Sequence, residues 1–142
     1  MDRDEIIAEA ARAIKPHRVE DRVFGNVAAV VVSDKGNRYA GLCIDTPSGT
    51  GFCAEAAAVG AMVTAGEYRI KQVVAVSRHD DGALYVLPPC GRCREFMRQI
   101  DEGNLGAEVV LGRGESAKLK DLLPRHERPA PLGSWALRKT AL

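Results

Sequence analysis

Four residues have the types and spacing to do chemistry together: Cys53 and Glu55 in Phe52-Cys53-Ala54-Glu55, and the thiol pair in Pro88-Pro89-Cys90-Gly91-Arg92-Cys93-Arg94. Cys90 and Cys93 are three positions apart, about 60° around a helix, so both sulfurs can address one point beyond the helix start. A helix N-terminus carries unpaired N–H groups and partial positive charge, which favours thiolates. Cys53 stands at the start of another expected helix, and each of these helices follows an extended segment. If the two helix starts face each other across the end of a sheet, three thiolates meet. They would hold a tetrahedral Zn²⁺ with one corner left for water, the arrangement of a catalytic metal and not of a structural one. Glu55 would be turned about 200° from Cys53 in a regular helix, so it faces such a site only if Cys53 acts from the cap.

The elements that must position these residues can be read from periodicity. Ile6, Ile7, Ala10, Ala11 and Ile14 recur at helical spacing until Pro16, which predicts a helix over 3–15. The continuous run Val27-Ala28-Ala29-Val30-Val31-Val32, the turn residues Ser33-Asp34-Lys35-Gly36-Asn37 and a second strand over 38–44 predict a hairpin. Residues 45–52 read as a loop that delivers the chain to a helix from Cys53 to Ala65, ended by Gly66. A buried strand follows over 73–77, then a short extended piece over 84–87 and a third helix from Gly91 that stops near Gly103. A strand over 108–111 and a short helix near 117–122 complete the pattern. Strands alternating with helices after an initial hairpin imply an α/β protein with a mixed sheet of about five strands and helices on both faces, a three-layer α/β/α arrangement.

The whole chain suits one domain, residues 1–142, with a basic tail from about 124 that holds Arg125, Arg128, Trp135, Arg138 and Lys139. Twenty basic and nineteen acidic residues leave a net charge of +1, so no global field recruits nucleic acid or an anionic membrane. No apolar run approaches the roughly 18 residues a membrane span needs. The acidic, amphipathic opening MDRDEIIAEAARAIK differs from a secretory signal, and a cytoplasmic protein is expected. In that compartment four cysteines point to metal or catalysis before disulfides. Two other readings use the same thiols. Cys43 joining Cys53, Cys90 and Cys93 would close a four-thiolate structural zinc module with a binding role, and Cys90 with Cys93 alone would make a redox pair. His17, His79 and His126 fall in expected loops and read as solvated side chains.

Cys53-Ala54-Glu55 followed by Pro89-Cys90-Gly91-Arg92-Cys93 resembles the zinc signature of the cytidine deaminase family. The resemblance implies hydrolytic deamination of a small aminopyrimidine, a homotetramer, zinc at Cys53, Cys90 and Cys93, and Glu55 as proton shuttle. It carries Phe24 and the backbone of Ala54 over as substrate contacts, and it sets Cys43-Ile44-Asp45 where the family has an Asn-x-Glu that holds the ribose. Both polar residues differ, which leaves open a modified or non-nucleoside aminated heterocycle as substrate. Family members commonly have Arg directly after the Glu. Ala56 stands there instead, and with the Cys-Gly-Arg-Cys-Arg form of the second motif this is similar to blasticidin S deaminase. Arg92 then becomes the candidate cation that offsets the net negative charge of three thiolates on a divalent metal.

Overall fold

The computed structural model describes residues 1–133; Trp135, Arg138 and Lys139 lie outside the described residues. The first helix, α1, runs Arg3–Ala13 and stops two residues short of the predicted end. Ile14 has already left helical geometry at φ −58°, ψ 126°, and Lys15 precedes Pro16, a position sterically disfavoured in a helix. A small antiparallel hairpin that periodicity did not reveal comes next, β1 (His17–Val19) with β2 (Arg22–Phe24), turning through Glu20 at φ 56°. His17 is thus a strand residue.

The predicted hairpin follows as β3 (Val27–Ser33) and β4 (Arg38–Leu42). Then come α2 (Ala54–Thr64), β5 (Ile70–Arg78), β6 (Leu84–Leu87), α3 (Gly91–Ile100), a 3-10 turn (Glu102–Gly106) and β7 (Glu108–Gly112). Residues 117–122 do not form one short helix. The Arg113-Gly114 turn folds the chain back as strand β8 (Glu115–Lys118), antiparallel to β7, and only Leu119–Leu122 makes a 3-10 turn. The main sheet therefore has six strands, in the order β4-β3-β5-β7-β8, with β6 also on β5. Among the described residues only the β5/β7 pair is parallel.

The strand alternation builds the three layers. On β3, Ala28, Val30 and Val32 pack with Ile6 and Ala10 of α1 and with Ile14 just past its end, while Ala29 and Val31 pack on the other face with Ala58, Val59 and Met62 of α2. Val74 and Val76 of β5 join the first face, Val73 and Ala75 the second. Such runs are apolar at every position because both faces are covered.

Beyond β3, one edge of β5 is shared. β7 pairs with Gln72 and Val73, and β6 pairs from Ala75 to Arg78. Leu87 lies opposite Ala75, so the chain leaves the sheet in mid-edge, and Pro88-Pro89-Cys90 starts α3 over the split. Asn104 fixes the far end of this region. Fully buried, it accepts from Ile70 N–H at 2.7 Å and donates through Nδ2 to the carbonyls of Met97 (2.9 Å) and Tyr68 (3.1 Å). Asn104→Leu should lower stability by about 3 kcal/mol in denaturant titration, since it leaves two buried backbone groups, Ile70 N–H and Met97 C=O, unpaired at about 1–3 kcal/mol each before relaxation.

Glu67, past the end of α2, accepts from Ser33 Oγ (2.7 Å), Asn37 Nδ2 (2.9 Å) and the Tyr39 hydroxyl, and so ties the β3/β4 turn to the helix. The Tyr39, Ser33 and Asn37 donors hold its carboxyl below the ordinary 4.5. A depressed folded-state pKa contributes stability above the unfolded value and loses it as pH falls through the folded value. Glu67→Gln should therefore melt below the wild type at pH 7, with the gap closing below about pH 4, where unfolded carboxyls protonate.

Candidate metal centre

Cys53 and Cys90 are the N-cap residues of α2 and α3, with extended backbones at ψ 158° and 165°. Cys93 sits one turn inside α3 and is 1% exposed. The three Sγ atoms lie within 4.8 Å of one another, and Cys53 Sγ is 3.5 Å from Cys90 Sγ. Four thiolates at 2.3 Å around a tetrahedral metal stand about 3.8 Å apart, so three of these sulfurs already have the spacing of a ligand set. All four cysteines are free thiols.

Cys43 is not part of the group. It is buried at the end of β4, and its thiol donates to Asn26 Oδ1 at 3.2 Å, with Asp45 Oδ2 at 4.0 Å. The closed four-thiolate reading is corrected by that geometry, since the fourth sulfur is committed to the Asn26 amide just before β3.

Because Cys53 acts from the cap, Glu55 falls on the same side as the sulfurs. Glu55 is 6% exposed and lines the same cavity as Cys53 and Cys90. No ion pair among the described residues engages it. Burial pushes its pKa up, opposed by its own backbone N–H. Burial likewise pushes Cys93 and Cys53 up, Cys93 most strongly and with Glu55 adding to it. For Cys90 burial also raises the pKa, but the Cys93 backbone N–H and the neighbouring thiols outweigh it and leave the value lowered. Three sulfurs gathered beside a buried carboxyl, with Cys93 itself buried, favour a cation among them, and thiolate donors select a soft or borderline one such as zinc. The donor set fits.

What brings α2 so close to the sheet is Gly41. A Cβ at this position on β4 would lie 2.2 Å from Ala58 N and 2.7 Å from Ala54 O, so only a residue without one lets the first turn of α2 settle against the strand. The cavity beside the sulfurs has a volume of about 460 Å³, and its walls include Asn26, Cys43, Asp45, Phe52 and Arg92. Ala54 lines it at the first turn of α2. Arg92 donates to Gly51 O at 3.2 Å, binding the 45–52 loop to α3. It stands at the cavity wall without a hydrogen bond to sulfur among the described residues. Arg94 reaches the other way, to Pro89 O (2.8 Å) and Leu122 O (3.1 Å), and so braces the turn that carries Cys90.

Phe24, expected as a substrate contact, stands apart from this cavity. It is half-buried at the end of β2 and is not among the cavity-lining residues. Gly25, at φ 78°, accepts from Lys15 N–H and donates to Cys43 O, and this left-handed link brings Asn26 to the cavity in its place. The aromatic that does line the cavity is Phe52, whose backbone pairs with Ile44 in an isolated bridge. Nothing in the loop composition of 45–52 distinguished Phe52, and no pattern in the sequence singled out Asn26.

Three thiols gathered at two helix starts, over a mixed sheet and beside a buried carboxylate, define a metal-binding α/β protein. Residues 1–107 match the family described as the cytidine and deoxycytidylate deaminase zinc-binding region. The chain is 33% identical over 100 residues to the cytidine deaminase of Mycobacterium tuberculosis (strain H37Rv), covering 69% of each. Crystal structures of cytidine deaminases from M. tuberculosis (TM-score 0.71, 28% identity, 88% of this chain and 96% of that one) and Burkholderia pseudomallei (0.70, 26%, 88% and 98%) are similar to it. The chain belongs to this zinc-binding deaminase family, and its cofactor is Zn²⁺.

Two glycine substitutions with opposite signs test the packing that seats the centre. Gly41→Ala should lower the melting temperature and reduce bound zinc per chain, as overpacking costs about 1–3 kcal/mol and displaces Cys53. Gly60→Ala, on the exposed side of α2 with nothing within 4 Å of the added carbon, should keep its zinc and melt about 2–4 °C higher.

Proposed function

We propose that the protein is a hydrolase that deaminates a cytidine-like aminopyrimidine nucleoside or nucleoside analogue, of the cytidine or blasticidin S type, and releases ammonia. The observation that carries this reading is that Cys53, Cys90 and Cys93 converge within 4.8 Å at the cavity in whose wall the Glu55 carboxyl is buried. Cys53, Cys90 and Cys93 would hold the zinc, which when bound lowers the pKa of a water at its open position.

Glu55 is the proton carrier. Replacing a ring C–NH₂ by C=O adds the oxygen of water to the ring carbon and expels ammonia, and each stage needs a proton moved. Glu55 first accepts one from the attacking water and gives it to the adjacent ring nitrogen, then delivers a second to the departing amine, a single carboxyl acting in turn as base and acid. Its burial keeps bulk water from competing for these transfers. The first-turn backbone of Ala54 lies in the same wall and can meet the polar edge of the ring, while Phe52 offers an apolar face. Arg92, the one cation among the described residues that line the cavity, supplies positive charge near a donor set rich in negative charge.

The protein also assembles with copies of itself, in the homotetramer that the resemblance implies. In support, Phe52 and Phe96 are both more than a third exposed and, with Ala56 and Arg92, line a second cleft beside the first. Light scattering on the eluting protein should give the mass of four chains; a single-chain mass at micromolar concentration would end this part of the reading.

Glu55→Gln should cut ammonia release from a responsive aminopyrimidine by at least about 10²-fold, the range for removal of a general acid–base group. Zinc content should stay at one per chain and the melting temperature nearly unchanged. Activity retained in that variant overturns the assignment of Glu55. Cys90→Ala should lose both zinc and activity. A panel of cytidine, deoxycytidine, cytosine, blasticidin S and aminopurines decides between the two substrate types.

A further inference from the structure

We propose that Asn26 is a specificity residue of this site, that it takes a hydroxyl on the non-reacting part of the substrate, and that the buried Cys43 thiol holds it in place. The inference rests on the proposed deaminase reading and adds to it a residue at the entry to β3, outside the Cys43-Ile44-Asp45 segment.

The cavity is chemically two-ended. One end has Cys53, Cys90 and Glu55; along another part of its lining Asn26, Cys43 and Asp45 come together. Cys43 Sγ is 3.2 Å from Asn26 Oδ1 and 4.0 Å from Asp45 Oδ2. A thiol has one proton, so it donates to the nearer oxygen. That bond settles which way the amide points, since its oxygen faces the thiol and its NH₂ is turned from it. Asn26 Nδ2 has no partner among the described residues, and neither Asp45 oxygen has one apart from the long contact with the thiol.

The result is an amide donor and a carboxylate acceptor side by side in one wall, both exposed and unspent, with their orienting sulfur buried behind them. A hydroxyl group is both donor and acceptor, and a pair of neighbouring hydroxyls matches one amide N–H and one carboxylate. A bare heterocycle filling the other end would leave both wall groups without a partner, and sites built to bind a hydroxyl discriminate against analogues that lack it. Cys43 is thus a positioning residue. Its one proton is committed to Asn26 Oδ1, and through that bond it selects the amide rotamer.

The experiment compares cytidine with 2′,3′-dideoxycytidine in the zinc-loaded protein, by ammonia release and, in the Glu55→Gln background, by calorimetric binding. Asn26→Ala should raise KM and Kd for cytidine about tenfold, the size of one hydrogen bond of about 1.4 kcal/mol, with kcat within twofold. Its values for dideoxycytidine should stay within twofold of wild type. Cys43→Ala should raise the cytidine KM about threefold, and Cys43→Ser, whose hydroxyl can also donate to Asn26, should restore it. The Asn26 side chain is exposed, so the fold should persist, as checked by circular dichroism. Equal losses for the two ligands in Asn26→Ala, or no loss at all, would overturn the proposal. If the wild type released ammonia from none of cytidine, deoxycytidine, cytosine, blasticidin S and the aminopurines while the Kd pattern held, the deaminase reading would fail and the hydroxyl site would stand; cytidine failing to bind at all overturns the hydroxyl site.

Discussion

The close approach of α2 to the sheet at Gly41 is the constraint on which the site depends. Cys53 and Glu55 are the cap and second residue of that helix, and their positions relative to Cys90 and Cys93 follow from how deeply its first turn sits. A Cβ at Gly41 would come within 2.2 Å of backbone that cannot step aside without moving the helix. The apolar second face of β3 and β5 supplies the attraction that draws α2 down, and the missing side chain at Gly41 supplies the room. Burial and steric clearance together place the sulfurs.

The other half of the site comes from an irregularity. β5 has one edge divided between β7 and β6, and the chain leaves that edge at Leu87 through two prolines. The departure point is in mid-sheet, so α3 begins over the split and not beyond the end of the strands. Its cap residue then meets the cap residue of α2, with Arg94 bracing the turn to Pro89 and Leu122. Two helix N-termini pointed at one spot concentrate unpaired N–H groups and partial positive charge there. This favours thiolate, while burial of Cys93 and Glu55 opposes any unpaired negative charge. A divalent cation reconciles the two tendencies, and the sulfur donor set suits zinc.

Around this rigid centre, the side of the cavity formed by Asn26, Cys43 and Asp45 is of a different character. It is assembled from the ends of β3 and β4 and the following loop, and two of its three polar residues are exposed. Rigid elements therefore carry the metal and the proton carrier, while exposed polar groups at strand ends and on the loop carry discrimination among ligands. The division is physically reasonable, because the chemistry tolerates little displacement whereas ligand selection depends on a few hydrogen bonds.

Much of this was determined by sequence alone. The spacing of Cys90 and Cys93 after two prolines, the placement of Cys53 at a helix start, and the unbroken β-branched run of β3 are local patterns, and local physics reads them. The three-layer architecture followed from the same patterns. Strand β8 and the β1/β2 hairpin escaped because short strands with little apolar content are stabilised by pairing, which periodicity within one segment cannot register. Tertiary structure alone decided that Cys43 belongs to Asn26 and not to the other three thiols. It also decided that Phe52 and Asn26 line the cavity while Phe24 does not. A thiol's partners and a side chain's neighbours depend on the register and approach of separate strands and helices, and no one-dimensional spacing encodes those distances.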